Sequence, residues 1–108
     1  MGEEKRNSQR FDLEIQAKYV VKHVLGEAEY NCRIEDISED GVGIEAEVED
    51  GLNTKPKGGL KPGILVQLKI NNLVLHCKVV YVETSRVGLS FASITSEQKE
   101  ELKKIIIG

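Results

Sequence analysis

Arg6-Asn7-Ser8-Gln9-Arg10 and Asp36-Ile37-Ser38-Glu39-Asp40-Gly41 are the two stretches of this 108-residue chain whose residue types could do chemistry together. The first reads R-x-x-x-R. Its two guanidinium groups are permanently charged planar forks that pair with phosphate and stack on flat rings. The second reads D-x-S-x-x-G. Asp36 supplies an anionic acceptor and Ser38 a hydroxyl of the kind that bonds a purine edge, while Gly41 permits a tight backbone turn, favoured if its φ is positive. Alone, R-x-x-x-R reads as a solvated basic tail, and D-x-S-x-x-G as a hairpin turn that bonds its own backbone. Their conjunction points to a ligand bearing both phosphates and guanines.

The elements that must position these residues are strands. Residues 1–10 are polar and without periodicity, which predicts a mobile segment in the absence of ligand. From Phe11 the pattern changes to a strict alternation, with Phe11, Leu13, Ile15, Ala17 and Tyr19 on one face. Gly26 marks a first turn, and a second strand covers about Tyr30 to Glu35. The Asp36–Gly41 motif follows as a turn. A third strand directs Val42, Ile44, Ala46 and Val48 inward. The stretch from Asp50 to Gly63 holds both prolines and reads as a surface loop. Val66, Leu68 and Ile70 define a fourth strand, and Asn71-Asn72 a tight hairpin, since Asn tolerates positive φ. The fifth strand runs from Leu73 to Val82 and the sixth from about Val87 to Ala92.

The end of the chain changes period. Thr95 and Gln98 are spaced as a capping box. Leu102, Ile105 and Ile106 then share one helical face. Six short strands and a terminal helix predict a mainly all-β fold, a small six-stranded antiparallel barrel with a short C-terminal α-helix. The size fits one domain, with residues 1–10 as a flexible arginine segment and 11–108 as the barrel.

Composition removes several classes of function. The net charge is −3, with 18 acidic against 15 basic residues, which argues against a broad nucleic-acid surface. A single-stranded nucleic-acid binder needs outward aromatics, whereas Phe11, Tyr19, Tyr30, Tyr81 and Phe91 all fall on inward parity. Purely apolar runs last only a few residues, far short of the ~20 that span a bilayer. The N-terminus lacks the apolar stretch of a secretory signal, so a cytoplasmic location is expected, without membrane insertion. Cys32 and Cys77 share parity with apolar neighbours and read as reduced core residues. His23 and His76 have no partners at metal-ligand spacing, so no metal is expected. Nucleophile elbows and Gly-Lys-Ser/Thr phosphate loops are absent.

The two motifs, in this order around a first alternating strand, resemble the PilZ domain family. The resemblance extends through Gly41-Val42-Gly43, Val87-Gly88-Leu89-Ser90-Phe91 and the Glu97–Ile107 helix. It implies a non-enzymatic receptor for cyclic di-GMP that needs no cofactor besides that ligand. By resemblance, Arg6 and Arg10 hold phosphate and pack on guanine, Asp36 and Ser38 bond guanine edges, and Gly41 keeps the turn open. Lys5 and Gly43 are secondary candidates. Many members carry an arginine where this chain has Lys5, which keeps the charge without the planar fork. The number of ligands bound, one or two, therefore stays open.

Such a receptor signals by ordering its arginine segment and passing the change to an effector protein, as a monomer or weak homodimer. The alternative is a PilZ-like interaction module that binds no nucleotide.

Overall fold

Alternating apolar residues build a sheet with one greasy face, and a small sheet hides that face best by closing on itself. The structure is a computed structural model that describes residues 11–49 and 55–107. Its strands are β1 (Phe11–His23), β2 (Gly26–Ile37), β3 (Gly41–Ala46), β4 (Leu65–Ile70), β5 (Leu73–Glu83) and β6 (Arg86–Ser93), followed by helix α1 (Ser96–Ile107). They form a closed barrel in the order β1-β2-β3-β6-β5-β4, and every neighbouring pair is antiparallel. This is the architecture expected. β2 is longer at both ends than the alternation implied, so Asp36 and Ile37 belong to the strand and the turn begins at Ser38. The expectations for Lys5, Arg6 and Arg10 lie outside the described residues.

The barrel interior is filled by Tyr19, Ile34, Ile44, Leu68, Leu75, Val79 and Val87, among others. Tyr19 is the largest of them, and its phenol is satisfied rather than stranded: its hydroxyl donates to the Lys57 carbonyl at 2.7 Å. Burial raises its pKa well above the ordinary tyrosine range. Cys32 and Cys77 are buried and free. Burial pushes both thiols up to about 12, leaving almost no reactive thiolate at neutral pH.

Two segments outside the sheet contribute to the core. α1 starts with the capping box foreseen from its spacing: the Gln98 N–H donates to Thr95 Oγ1 at 3.1 Å, and Gln98 Oε1 accepts from the Thr95 N–H at 3.0 Å. Gln98 Nε2 also donates to the Val74 carbonyl, which ties the helix to the start of β5. Leu102 then enters the core and Ile105 packs beside it.

The β3–β4 connection departs from the simple surface loop expected. Its Pro56 and Leu60 are buried, and Leu60 joins the core cluster. Val48 was expected inward but is 38% exposed, because the chain leaves the sheet after Ala46 and forms an isolated bridge to Pro56. Lys57 secures this excursion through its N–H on the Glu47 carbonyl and its Nζ on Glu47 Oε2. That hydrogen bond, with a second from the Asn31 N–H, holds the Glu47 carboxyl below its usual range.

Asn71 turns the β4–β5 hairpin with φ +56°, as anticipated. By contrast, Leu25 at the tip of the β1–β2 hairpin is 98% exposed. Leu102→Ala is expected to lose about 2–4 kcal/mol of stability, and Leu25→Ala less than about 0.5 kcal/mol. Urea denaturation of the two variants measures the contrast.

Candidate functional site

A strand with strict alternation offers only every second residue to solvent, so a site on its outer surface needs a device that re-aims side chains. β2 has one between Ile34 and Asp36. Ile34 faces Ile44 and Asp36 faces Gly43, leaving Glu35 as an extra residue. Ile34 and Ile37 are both buried, while Glu35 and Asp36 stay half-buried side by side. β1 carries a matching irregularity between Asp12 and Ile15. Bulges of this kind bend a strand and are concentrated near functional surfaces.

The two carboxylates then differ. Glu35 accepts from Arg86 Nε at 3.0 Å and lies 3.5 Å from Arg33 NH2. Its charge raises the Arg86 guanidinium above its ordinary pKa. Asp36 lies over Gly43, where a Cβ would stand 3.0 Å from Oδ1 and 3.1 Å from Oδ2. The absence of a side chain at Gly43 is what gives that carboxylate its place.

Ser38 closes the turn. Its N–H donates to the Gly41 carbonyl at 2.9 Å, and its hydroxyl donates to the same oxygen at 3.4 Å. The Phe91 N–H donates to the Asp40 carbonyl at 2.9 Å, anchoring the turn to β6. Gly41 is needed for a different reason from the one its sequence context implied. It is buried, its φ is not in the left-handed region, and it pairs with Ser90. An added Cβ would collide with the Leu89 carbonyl oxygen and stand 2.9 Å from Ser90 Cα. Close approach of two strands, not turn conformation, requires glycine here.

Asp36 and Gly43 are thus in direct contact, as are Ser38 and Gly41. β1 starts at Phe11, paired with Ile37, the residue just before Ser38.

One aromatic is not where parity put it. β5 shifts register between Val79 and Tyr81, so Val80 and Tyr81 both turn outward, and Tyr81 is 48% exposed. Tyr30 and Phe91 remain packed against the core. Tyr81 pairs with Gly88, Gly88 with Gly43, and Gly43 with Asp36, forming one row across β5, β6, β3 and β2. The Tyr81 ring occupies the space of the missing Gly88 side chain, where a Cβ would be 2.6 Å from Cδ2 and 2.8 Å from Cζ. Sequence reasoning missed Tyr81 and the part played by Gly88. A signal existed: the inward residues step by three from Ile34 to Ile37 and again from Val79 to Val82, breaking an otherwise two-residue period.

Among the described residues, no three His, Cys, Asp or Glu side chains are grouped to hold a metal. No helix among them is long and apolar enough to cross a membrane.

The PilZ domain model matches residues 4–108. Comparison with curated proteins found no significant sequence match. Among solved structures, the PilZ domain of CeSA from a cellulose-synthesizing bacterium superposes with a TM-score of 0.66 at 14% identity, covering 94% of this chain and 97% of that one. The PilZ domain of YcgR from Escherichia coli, solved with c-di-GMP, gives 0.65 at 13% identity, with 96% and 90% covered. The K. pneumonia MrkH–c-di-GMP complex gives 0.58 at 18% identity, covering 96% of this chain and 51% of that one.

Gly41→Ala is expected to reach or exceed the upper end of the about 1–3 kcal/mol typical of overpacking, since its Cβ meets backbone. Gly43→Ala should cost less, about 1 kcal/mol, because its Cβ meets the end of the Asp36 side chain at 3.0 Å rather than backbone and a small shift relieves it. Equal denaturation midpoints for the two variants would contradict this account of the turn.

Proposed function

Because the chain belongs to the PilZ domain family, we propose that it is a non-enzymatic receptor for cyclic di-GMP, one that closes its R-x-x-x-R segment over the ligand and signals to a partner protein. The observation that carries this reading is the placement of Asp36 and Ser38 beside the start of β1. Phe11, the residue that follows Arg10 in the sequence, pairs with Ile37. The c-di-GMP present in the YcgR and MrkH structures supports the choice of ligand.

The chemistry divides by residue. Guanine presents N–H donors on its Watson–Crick edge, and a carboxylate such as Asp36 is an acceptor for them. The Ser38 hydroxyl gives its proton to the Gly41 carbonyl and keeps lone pairs for the ligand. Arg6 and Arg10 pair with phosphate and stack on guanine, with Lys5 adding charge. Gly41 acts through the backbone by letting β3 seat the turn against β6, and Gly43 leaves the surface low beneath Asp36.

The response follows from an entropy balance. Fixing each residue of the arginine segment costs roughly 1–2 kcal/mol. Hydrogen bonds to charged groups return about 1.5–3 kcal/mol apiece. Ligand contacts can therefore order several residues, and the newly built surface is what an effector reads. Such a receptor works in the cytoplasm, as a monomer or weak homodimer.

Calorimetric titration tests the reading and also counts ligands per protein. Cyclic di-GMP is expected to saturate the protein, with GMP and GTP binding far more weakly. Absence of saturation at high micromolar ligand would leave only the interaction-module alternative. Arg10→Ala, losing a two-bond contact, should weaken binding by roughly two to four orders of magnitude with little change in Tm. Hydrogen exchange should slow across Glu3–Arg10 on adding ligand while the barrel strands change much less. Unaltered exchange in that segment would refute the ordering mechanism.

A further inference from the structure

Glu35 is the extra residue of the β2 bulge, and neither the core nor the receptor reading gives it a task. Ile34 and Ile37 are buried, so the core requires only that the two residues between them face outward. It does not decide which of these consecutive carboxylates takes the place over Gly43. Asp36 takes it. The bonds made by Glu35 explain that choice.

Glu35 reaches across the sheet. Its Oε1 accepts from both Nε and Nη2 of Arg86 at 3.0 Å, and its Oε2 lies 3.5 Å from Nη2 of Arg33. Each oxygen therefore faces its own guanidinium, and the Glu35 side chain is only 24% exposed. Arg86 belongs to β6, and β3 lies between β6 and β2. The bridge thus spans two strand spacings, roughly 9–10 Å. The outer face of β3 leaves room for it. Gly43 has no side chain there, and Glu45, which pairs with both Arg33 and Arg86, accepts from the Ser85 hydroxyl. Exposed ion pairs add little stability, but a guanidinium fork closed on a carboxylate fixes geometry.

We propose that Glu35 and Arg86 are positioning residues of the nucleotide site: their bridge over β3 draws Glu35 away from Gly43 and reserves that place for Asp36. The proposal rests on the receptor reading above and deepens it. Neither residue need touch the ligand. Their effect passes through the carboxylate that meets the guanine edge.

The test is a calorimetric titration of the full chain and of its Glu35→Ala, Arg86→Gln and double variants with cyclic di-GMP, with thermal melts alongside. Charge alone predicts tighter binding by Glu35→Ala, because a carboxylate is removed and two guanidiniums are left to attract the anion. Positioning predicts the opposite sign, since Arg86 loses its acceptor and turns to the neighbouring carboxylate, Asp36. Glu35→Ala is expected to weaken binding roughly 5- to 50-fold, with Tm within about 3 °C of the parent. The double variant should bind no more weakly than Glu35→Ala, because an effect relayed through one bridge is lost only once. In the ligand-free protein, the amide NMR signals of Asp36 and Gly43 should move in either single variant, while those of Leu68 and Leu75 stay in place.

Binding by Glu35→Ala as tight as the parent's, or tighter, would overturn the positioning role and leave the receptor reading intact. So would losses that add in the double variant. No binding by the parent protein would overturn both. Should Glu35→Ala melt below the working temperature, Arg86→Gln decides, at a side chain that is 57% exposed: unmoved Asp36 and Gly43 signals there would overturn the role.

Discussion

Because β4 hydrogen-bonds β1 as well as β5, the sheet closes on itself, and its inward positions must be packed with side chains. A barrel of six strands has no room left for a dinucleotide inside. Whatever this protein recognises must be met on the outer wall or at a rim, where alternation ordinarily places solvated polar groups. The irregularities in β2 and β5 answer to that constraint. Each turns two consecutive residues away from the interior and then restores the inward phase, so the core is kept while Glu35-Asp36 and Val80-Tyr81 are displayed.

The parts of the fold that depend on local chemistry were legible in the sequence. Alternation located the strands, Asn71 announced its hairpin, and the Thr95–Gln98 spacing announced the cap. What escaped depends on how distant segments meet. Leu60 looked like loop sequence because its partners lie in strands far along the chain. Val48 kept the right parity, but the strand had already ended. The steric demand at Gly41 could not be read locally either: the neighbour that forbids a side chain there is the Leu89 carbonyl, which lies in β6, far along the chain. Tyr81 was placed inside by extending a period of two across a register shift. That Asp36, Ser38 and Gly43 lie near one another was legible because they belong to one hairpin.

An acidic protein would face an electrostatic difficulty in receiving the anionic ligand proposed above, and the surface pairing reduces it. Glu29 lies between Lys69 and Lys18, Glu47 is bonded by Lys57, and Glu35 by Arg86 and Arg33. Such exposed pairs add little stability, about 0–1 kcal/mol each. Their larger effect is on the field, since a paired carboxylate repels an approaching phosphate much less than an isolated one. The dense acidity between Glu27 and Asp50 is thus partly neutralised within the barrel wall.

The contact between the Tyr81 ring and Gly88 also has an evolutionary consequence. The two positions share one volume, so neither is free to drift alone. In related sequences, size at position 88 should be exchanged for size at position 81: an aromatic across from glycine, or a bulky residue across from a small one. Asp36 and Gly43 share space in the same way. The outer surface would then diversify by paired replacements along one row of the sheet, while the interior stayed unchanged.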